Sequence, residues 1–230
     1  SELQIREVRF TGEKSAQRID DSSPSIIRDQ SKCILCRRCV TVCQEIQSVT
    51  ALYTVGRGFE ARVEPAFGKD INEVACTNCG QCSMVCPVGA ITEKEYIDEI
   101  FEAINDPTKF VIAQDAPAVR AALGEEFGYP PGTLITGKML AAVRMLGFDR
   151  VFDTNFAADL TILEEGSELL KRIREGGTLP LITSCSPGWI KFIEHFYPEL
   201  LPHLSTCKSP HQMLGALSKT YFAKKAKVNP

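Results

Sequence analysis

Two cysteine runs of identical spacing constrain this sequence more than any other feature. The first is Cys33-x-x-Cys36-x-x-Cys39-x-x-x-Cys43, and the second is Cys76-x-x-Cys79-x-x-Cys82-x-x-x-Cys86, followed by Pro87. The segments DQSKCILCRRC and NEVACTNCGQC make them a tandem pseudo-repeat. Three thiolates, each separated by two residues, wrap one face of a cubane because the turns between them direct successive sulfurs inward. The fourth sits at the start of the following helix and reaches the other cluster of a two-cluster fold. Cys33, Cys36, Cys39 and Cys86 are therefore expected to hold one 4Fe–4S cluster, and Cys76, Cys79, Cys82 and Cys43 the second. Structural zinc uses two separated pairs and has no need of the tight triple spacing.

Thiolate-ligated cubanes do one-electron chemistry. Two of them held by interlocked ligands lie close together, so relay is their natural task. Arg37 and Arg38, beside the first cluster, could offset its charge but read rather as solvated surface. Charged residues make up 24% of the chain and the net charge is -3, a balance that points to neither nucleic acid nor an anionic membrane surface. No stretch approaches the roughly 18 apolar residues of a membrane span. The charged N-terminus SELQIREVRFTGEKSAQRIDD carries no apolar signal core. A cytoplasmic location is expected, where thiols stay reduced and bind metal rather than pair as disulfides. The start at Ser1, without methionine, reads as a fragment of a longer chain.

Three regions are expected. Residues 1–30 read as a polar N-terminal extension, with DDSSPS as a linker and a short strand over Ile5–Phe10. Residues 31–95 form an α+β, ferredoxin-like two-cluster module. In 96–230 the texture changes to an α/β domain. Helical spacing over Glu93–Asn105 ends before Pro107. Strands are expected over Lys109–Ala113, Phe148–Asp153 and Leu179–Thr183. Helices are expected over 117–127, 137–146, Ala157–Arg174 and after Pro187. Alternating strands and helices imply a mainly parallel sheet.

The segment TSCSPGW at Thr183–Trp189 closely resembles the first active-site signature of the FeFe hydrogenases. QDAPAVRAALGEEFG at Gln114–Gly128, FDTNFAADLTILEEGSELL at Phe152–Leu170 and KSPHQMLG at Lys208–Gly215 resemble the catalytic domain of that family. ELQIREVRFTGE resembles the stretch preceding its two-cluster module. The resemblance implies reversible H2 oxidation and proton reduction at an H-cluster, a 4Fe–4S cubane bridged by cysteine to a di-iron unit. On the matching positions Cys185 would be the proton-donating thiol, with Glu165, Ser205 and Glu168 continuing the path outward. Glu165 and Glu168, three apart on a helix, share a face; without the resemblance they read as a solvated face. Ala116, Pro117 and Pro210 would line the di-iron pocket.

The sequence departs from the family pattern at Ser186, where a second cysteine, a ligand of the active-site cubane, is normal. Either the serine substitutes, or Cys185 changes role, or that cubane is absent. The two further cysteine signatures of the family do not occur before Pro230, so the H-cluster is expected only if the chain continues. Implied partners are ferredoxin, or flavin- and NAD(P)-binding iron–sulfur subunits, in a hetero-oligomer. Two alternatives stand beside the hydrogenase subunit. One is an electron-transfer subunit with a vestigial hydrogenase domain, and the other a sensory or assembly protein that keeps the fold without turnover. Cys207 reads as a small core residue, and Trp189, Phe192 and Phe196 as a core stripe. His195, His203 and His211 lack metal-ligand spacing, and only His211, beside Pro210, is placed near a pocket.

Overall fold

The computed structural model describes Gly12 and residues 18–229. The expected strand over Ile5–Phe10 lies outside them. The chain divides into two units between Lys94 and Glu95.

In the first unit, β1 (Ile19–Asp20), β2 (Ile26–Asp29) and β5 (Ile91–Glu93) form an antiparallel sheet in the order β1-β2-β5. A hairpin of β3 (Tyr53–Val55) and β4 (Arg62–Glu64) lies between them in sequence. The helices α1 (Arg38–Thr41) and α2 (Gln81–Met84) are single turns that pack on one another. A π-helical turn, Val42–Ile46, extends α1 and carries Cys43. The core is Ile26, Leu52, Val63, Ile71 and Ile91, all buried.

The DDSSPS segment is not a linker. Asp20 and Ser23 are buried, and the stretch turns the chain from β1 into β2. The reason is a buried ion pair that composition alone does not disclose. Asp20 Oδ2 accepts from Arg28 Nη1 at 3.0 Å and from the Ile71 amide at 2.9 Å. Its Oδ1 accepts from the Ser22 hydroxyl at 2.7 Å and from the Ser22 amide at 3.2 Å. Arg28 Nη2 in turn donates to the Val63 carbonyl at 2.6 Å. Polar residues here are interior structure because each has a partner.

The second unit alternates strands and helices as the sequence implies. It runs α3 (Ile97–Asn105), β6 (Ile112–Gln114), α4 (Pro117–Glu126), α5 (Thr136–Met145), β7 (Arg150–Phe152), α6 (Thr154–Glu175), α7 (Pro187–Phe196), α8 (Pro210–Leu217) and α9 (Ala223–Ala226). β6 and β7 pair in parallel, and the expected strand over Leu179–Thr183 shrinks to one parallel bridge, Ile182 to Leu204. Proline occupies the first position of α4, α7 and α8, where its missing N–H costs nothing and its fixed φ favours the helix. The aromatic stripe on α7 is not core: Trp189 and Phe196 are exposed and only Ile193 is buried. The rings instead contact one another, Phe192 to Phe196 at 5.1 Å.

Candidate metal centres

Each cysteine run folds as a loop opening into a short helix. Leu35 (φ 57°) and Asn78 (φ 56°) precede the middle cysteine in left-handed backbone, and Arg37 (φ 64°) and Gly80 (φ 74°) follow it. Left-handed residues on both sides of Cys36 and Cys79 curl the loops, so the pseudo-repeat is one of backbone as well as of cysteines. Glycine takes this conformation freely, whereas a side chain such as that of Arg37 costs about 1–2 kcal/mol. Glycine loses more chain entropy on folding, about 0.5–1 kcal/mol. The difference sets the expectation that Arg37→Gly raises stability by about 0.5–1 kcal/mol. A urea midpoint that falls in this variant would show that the arginine side chain contributes contacts outweighing its backbone strain.

The loops surround two spaces. One, about 460 Å³ including space open to solvent, is lined by Cys33, Cys36, Cys39 and Cys86 with apolar side chains and with Arg28, Asp29, Gln30 and Arg37. The other, about 390 Å³, is lined by Cys43, Cys76, Cys79 and Cys82. Among the described residues no three Cys, His, Asp or Glu side chains stand close enough to share one ion. Each set of four thiols lines one space, and four thiolates are what a 4Fe–4S cubane takes.

Electrostatics point the same way. Burial, then repulsion from Cys33, pushes the Cys39 thiol up to about 11. Burial, then Cys76 and Cys79, pushes Cys82 up to about 12, with Cys39 and Cys43 adding to it. Thiolates so placed need bound cations among them, and coordination deprotonates a thiol outright. At Cys86 burial also acts upward, but the amides of Val88, Ile91, Ala90 and Gly89 outweigh it and the thiol falls below its ordinary value. Ala90 N donates to Cys86 Sγ at 3.2 Å, and Ala51 N to Cys43 Sγ at 3.3 Å. Soft thiolate donors around such a space fit iron–sulfur clusters.

In the second unit the C-terminal ends of β6 and β7 are tied together. Arg120 pairs with Asp115 and, at 2.6 Å, with Asp153. Gln114 Nε2 donates to the His211 carbonyl at 3.2 Å, which joins the end of β6 to the start of α8. Ala116 and Pro117 open α4 and Pro210 opens α8, so this link associates those two helix starts. His211 contributes its backbone here, and its side chain is exposed. Cys185 is exposed, and Ser186 immediately precedes α7 without a side-chain capping bond. One thiol and one hydroxyl fall short of the four thiolates a cubane takes. These residues do not by themselves fit the H-cluster.

Glu168, on α6, collects an unusual number of donors for a helix glutamate. Ser205 Oγ donates to Oε2 at 3.0 Å, and the Thr206 amide donates to Oε2 at 3.1 Å. Arg172 reaches Oε1 through Nε at 3.1 Å and Nη2 at 2.6 Å. Burial raises the carboxyl, but these partners outweigh it and hold Glu168 below its ordinary value. Among the described residues no hydrogen bond joins Glu165 to Ser205 or Glu168. Cys207 is half-buried rather than core, with its Sγ 3.8 Å from Glu168 Oε2. The sequence reading missed Arg172, although its place four residues after Glu168 is the signal for such a pair.

Two four-cysteine cavities in an α+β module, followed by a parallel α/β unit, define an iron–sulfur protein of the electron-transfer class. Residues 32–90 match the 4Fe-4S dicluster domain, and residues 109–230 match the family described as iron only hydrogenase large subunit, C-terminal domain. The chain belongs to the iron-only hydrogenase large-subunit family and carries two 4Fe–4S clusters. It is 56% identical over 225 residues to the NADP-reducing hydrogenase subunit HndD of Solidesulfovibrio fructosivorans, covering 95% of this chain. It is 41% identical to iron hydrogenase 1 of Clostridium pasteurianum, covering 96%. The chain spans 38% of the length of each. The structure of apo FeFe-hydrogenase HydA1 from Chlamydomonas reinhardtii superposes on 60% of this chain and 36% of its own, with a TM-score of 0.56 and 46% identity. No helix among the described residues is long and apolar enough to cross a membrane.

Proposed function

We propose that this chain is the relay-bearing part of an FeFe hydrogenase catalytic subunit, interconverting H2 with protons and electrons. The observation that carries the reading is the pair of four-cysteine cavities in a module followed in sequence by a hydrogenase-type unit. Cys33, Cys36, Cys39 and Cys86 hold one cluster, and Cys76, Cys79, Cys82 and Cys43 hold the other. Cys86 lining the cavity of Cys33, Cys36 and Cys39, and Cys43 that of Cys76, Cys79 and Cys82, supports the crossing of the two fourth ligands. The relay module, which takes in β1 and β2 rather than starting at residue 31, ends at Lys94, the hydrogenase-type domain follows from Glu95, and a ferredoxin or flavin- and NAD(P)-binding iron–sulfur subunits exchange electrons with the relay. The likeness to an NADP-reducing hydrogenase subunit favours a hetero-oligomer.

An H-cluster, when bound, would supply the redox chemistry of H2. This chain supplies the proton route: Cys185, then Glu165, Ser205 and Glu168. The hydrogen bond from Ser205 Oγ to Glu168 supports its outer end. Glu168 remains ionised at neutral pH and accepts the Ser205 hydrogen bond, so Ser205 passes its proton to Glu168 only as it takes one up from the inner side, while Arg172 fixes the carboxylate's orientation.

Two measurements test the reading. Cys86→Ala is expected to remove the cluster of Cys33, Cys36 and Cys39, lowering iron by about four atoms. Loss of the cluster of Cys76, Cys79 and Cys82 instead would overturn the crossed assignment. In the full-length native protein, H2 is expected to reduce both clusters, read by EPR. Clusters that dithionite reduces and H2 does not would leave an electron carrier with a vestigial hydrogenase domain.

A further inference from the structure

Arg28 carries the one buried side-chain polar atom among the described residues that has no hydrogen-bond partner, its Nε. The side chain is 4% exposed. Its two terminal nitrogens are engaged, Nη1 by Asp20 and Nη2 by the Val63 carbonyl, so the guanidinium is fixed in orientation. A buried charged donor left without an acceptor costs more than a neutral one does. The same side chain lines the cavity of Cys33, Cys36, Cys39 and Cys86. Asp29 and Gln30 also line this cavity, but neither accepts from Nε, and Asp29 Oδ1 is taken by the Ser31 amide, so the acceptors left to Nε there are the sulfurs.

We propose that Arg28 Nε–H donates a hydrogen bond to a sulfur of the cluster held by Cys33, Cys36, Cys39 and Cys86, and that this bond raises the reduction potential of that cluster. The inference rests on the ligand assignment proposed above. Reduction adds one electron to the cubane, so its sulfurs become better acceptors and a fixed cationic donor binds the reduced form more tightly. Hydrogen bonds to sulfur are among the terms that set such potentials. Asp20 acts as a positioning residue: by holding Nη1 it keeps Nε turned from the carboxylate. The cavity of Cys43, Cys76, Cys79 and Cys82 is lined by no arginine or lysine. The two clusters are thereby made unequal, with the Arg28 side the better electron acceptor on this account.

The test uses cluster-loaded full-length protein grown with arginine labelled with 15N at Nε. In the dithionite-reduced state, pulsed EPR is expected to show a 15N hyperfine coupling on one cluster, retained in Arg37→Gly. Arg28→Gln is expected to make that cluster harder to reduce by about tenfold in equilibrium constant, about 59 mV for one electron. The second cluster should keep its potential. Should Arg28→Gln fail to fold, the coupling in the unsubstituted protein decides alone. Two clusters by iron content without a 15N coupling, or a coupling that vanishes with Arg37→Gly, overturns the role of Arg28 and leaves the ligand assignment intact. If Cys86→Ala spares the cluster of Cys33, Cys36 and Cys39, the assignment fails and the inference fails with it.

Discussion

Asp20→Asn is expected to destabilise the N-terminal unit by about 3–5 kcal/mol, the penalty for stranding one partner of a buried ion pair. All four hydrogen bonds to Asp20 are accepted, two at each oxygen. An asparagine must turn its NH2 group either toward Arg28 and Ile71 or toward Ser22, setting donor against donor. The change therefore removes a charge and also reverses the polarity of one end of the group. The check is the urea midpoint of the cluster-loaded protein under anaerobic conditions, compared with the unsubstituted chain at equal slope. A loss under about 1 kcal/mol would place the pair among replaceable ones. The same residue predicts a pH dependence. Burial acts to raise the Asp20 carboxyl, but Ser22, Ile71 and Arg28 together lower it below 3.8. Its contribution is thus complete above the ordinary carboxylate range and is lost as pH falls through the lowered value. Asp20 adds no slope to stability between pH 5 and 8, and a melting temperature falling in that window would have to arise elsewhere.

The second large effect belongs to Glu168. In the full-length enzyme Glu168→Gln is expected to lower H2 turnover by about 10²–10⁴-fold, the range that positioned acid–base groups contribute. The amide keeps the shape and one acceptor oxygen for Ser205 or Arg172, but it takes up no proton. Iron content and the EPR of the two relay clusters should be unchanged, because Glu168 lies in the other unit. Turnover within threefold of the unsubstituted enzyme would remove Glu168 from the proton route. It would then remain the anchor that binds α6 to the Ser205–Cys207 segment.

What could be read from the sequence follows the range of the interactions involved. The two cysteine runs are local patterns, and the proposed ligand sets coincide with the linings of the two cavities. The helices of the second unit were legible within a few residues, because α4, α5 and α6 carry their own start and stop signals in Pro117, Gly147 and Gly176. Long-range partners were not legible. Asp20 and Arg28 lie in a stretch rich in serine and aspartate, and only the carbonyl of Val63 and the amide of Ile71, over 30 residues away, make them interior. Cys207 looked like a core residue because free cysteine is often buried. Its actual neighbour, Glu168, is 39 positions distant in the chain. The stripe of Trp189, Phe192 and Phe196 has the spacing of a buried face. Spacing says which residues share a face and not what covers it.

The exchange of Cys43 and Cys86 between the two cavities bears on how the protein matures. Each cubane, once inserted, clamps parts of both halves of the pseudo-repeat, so the first insertion organises the vacant set for the next. Building the second site then costs less chain entropy than building the first. Metallation in vitro should be cooperative, with native mass spectra showing fewer half-loaded chains than independent sites would give. A variant that holds one cubane should lose it to oxygen faster than the doubly loaded chain does.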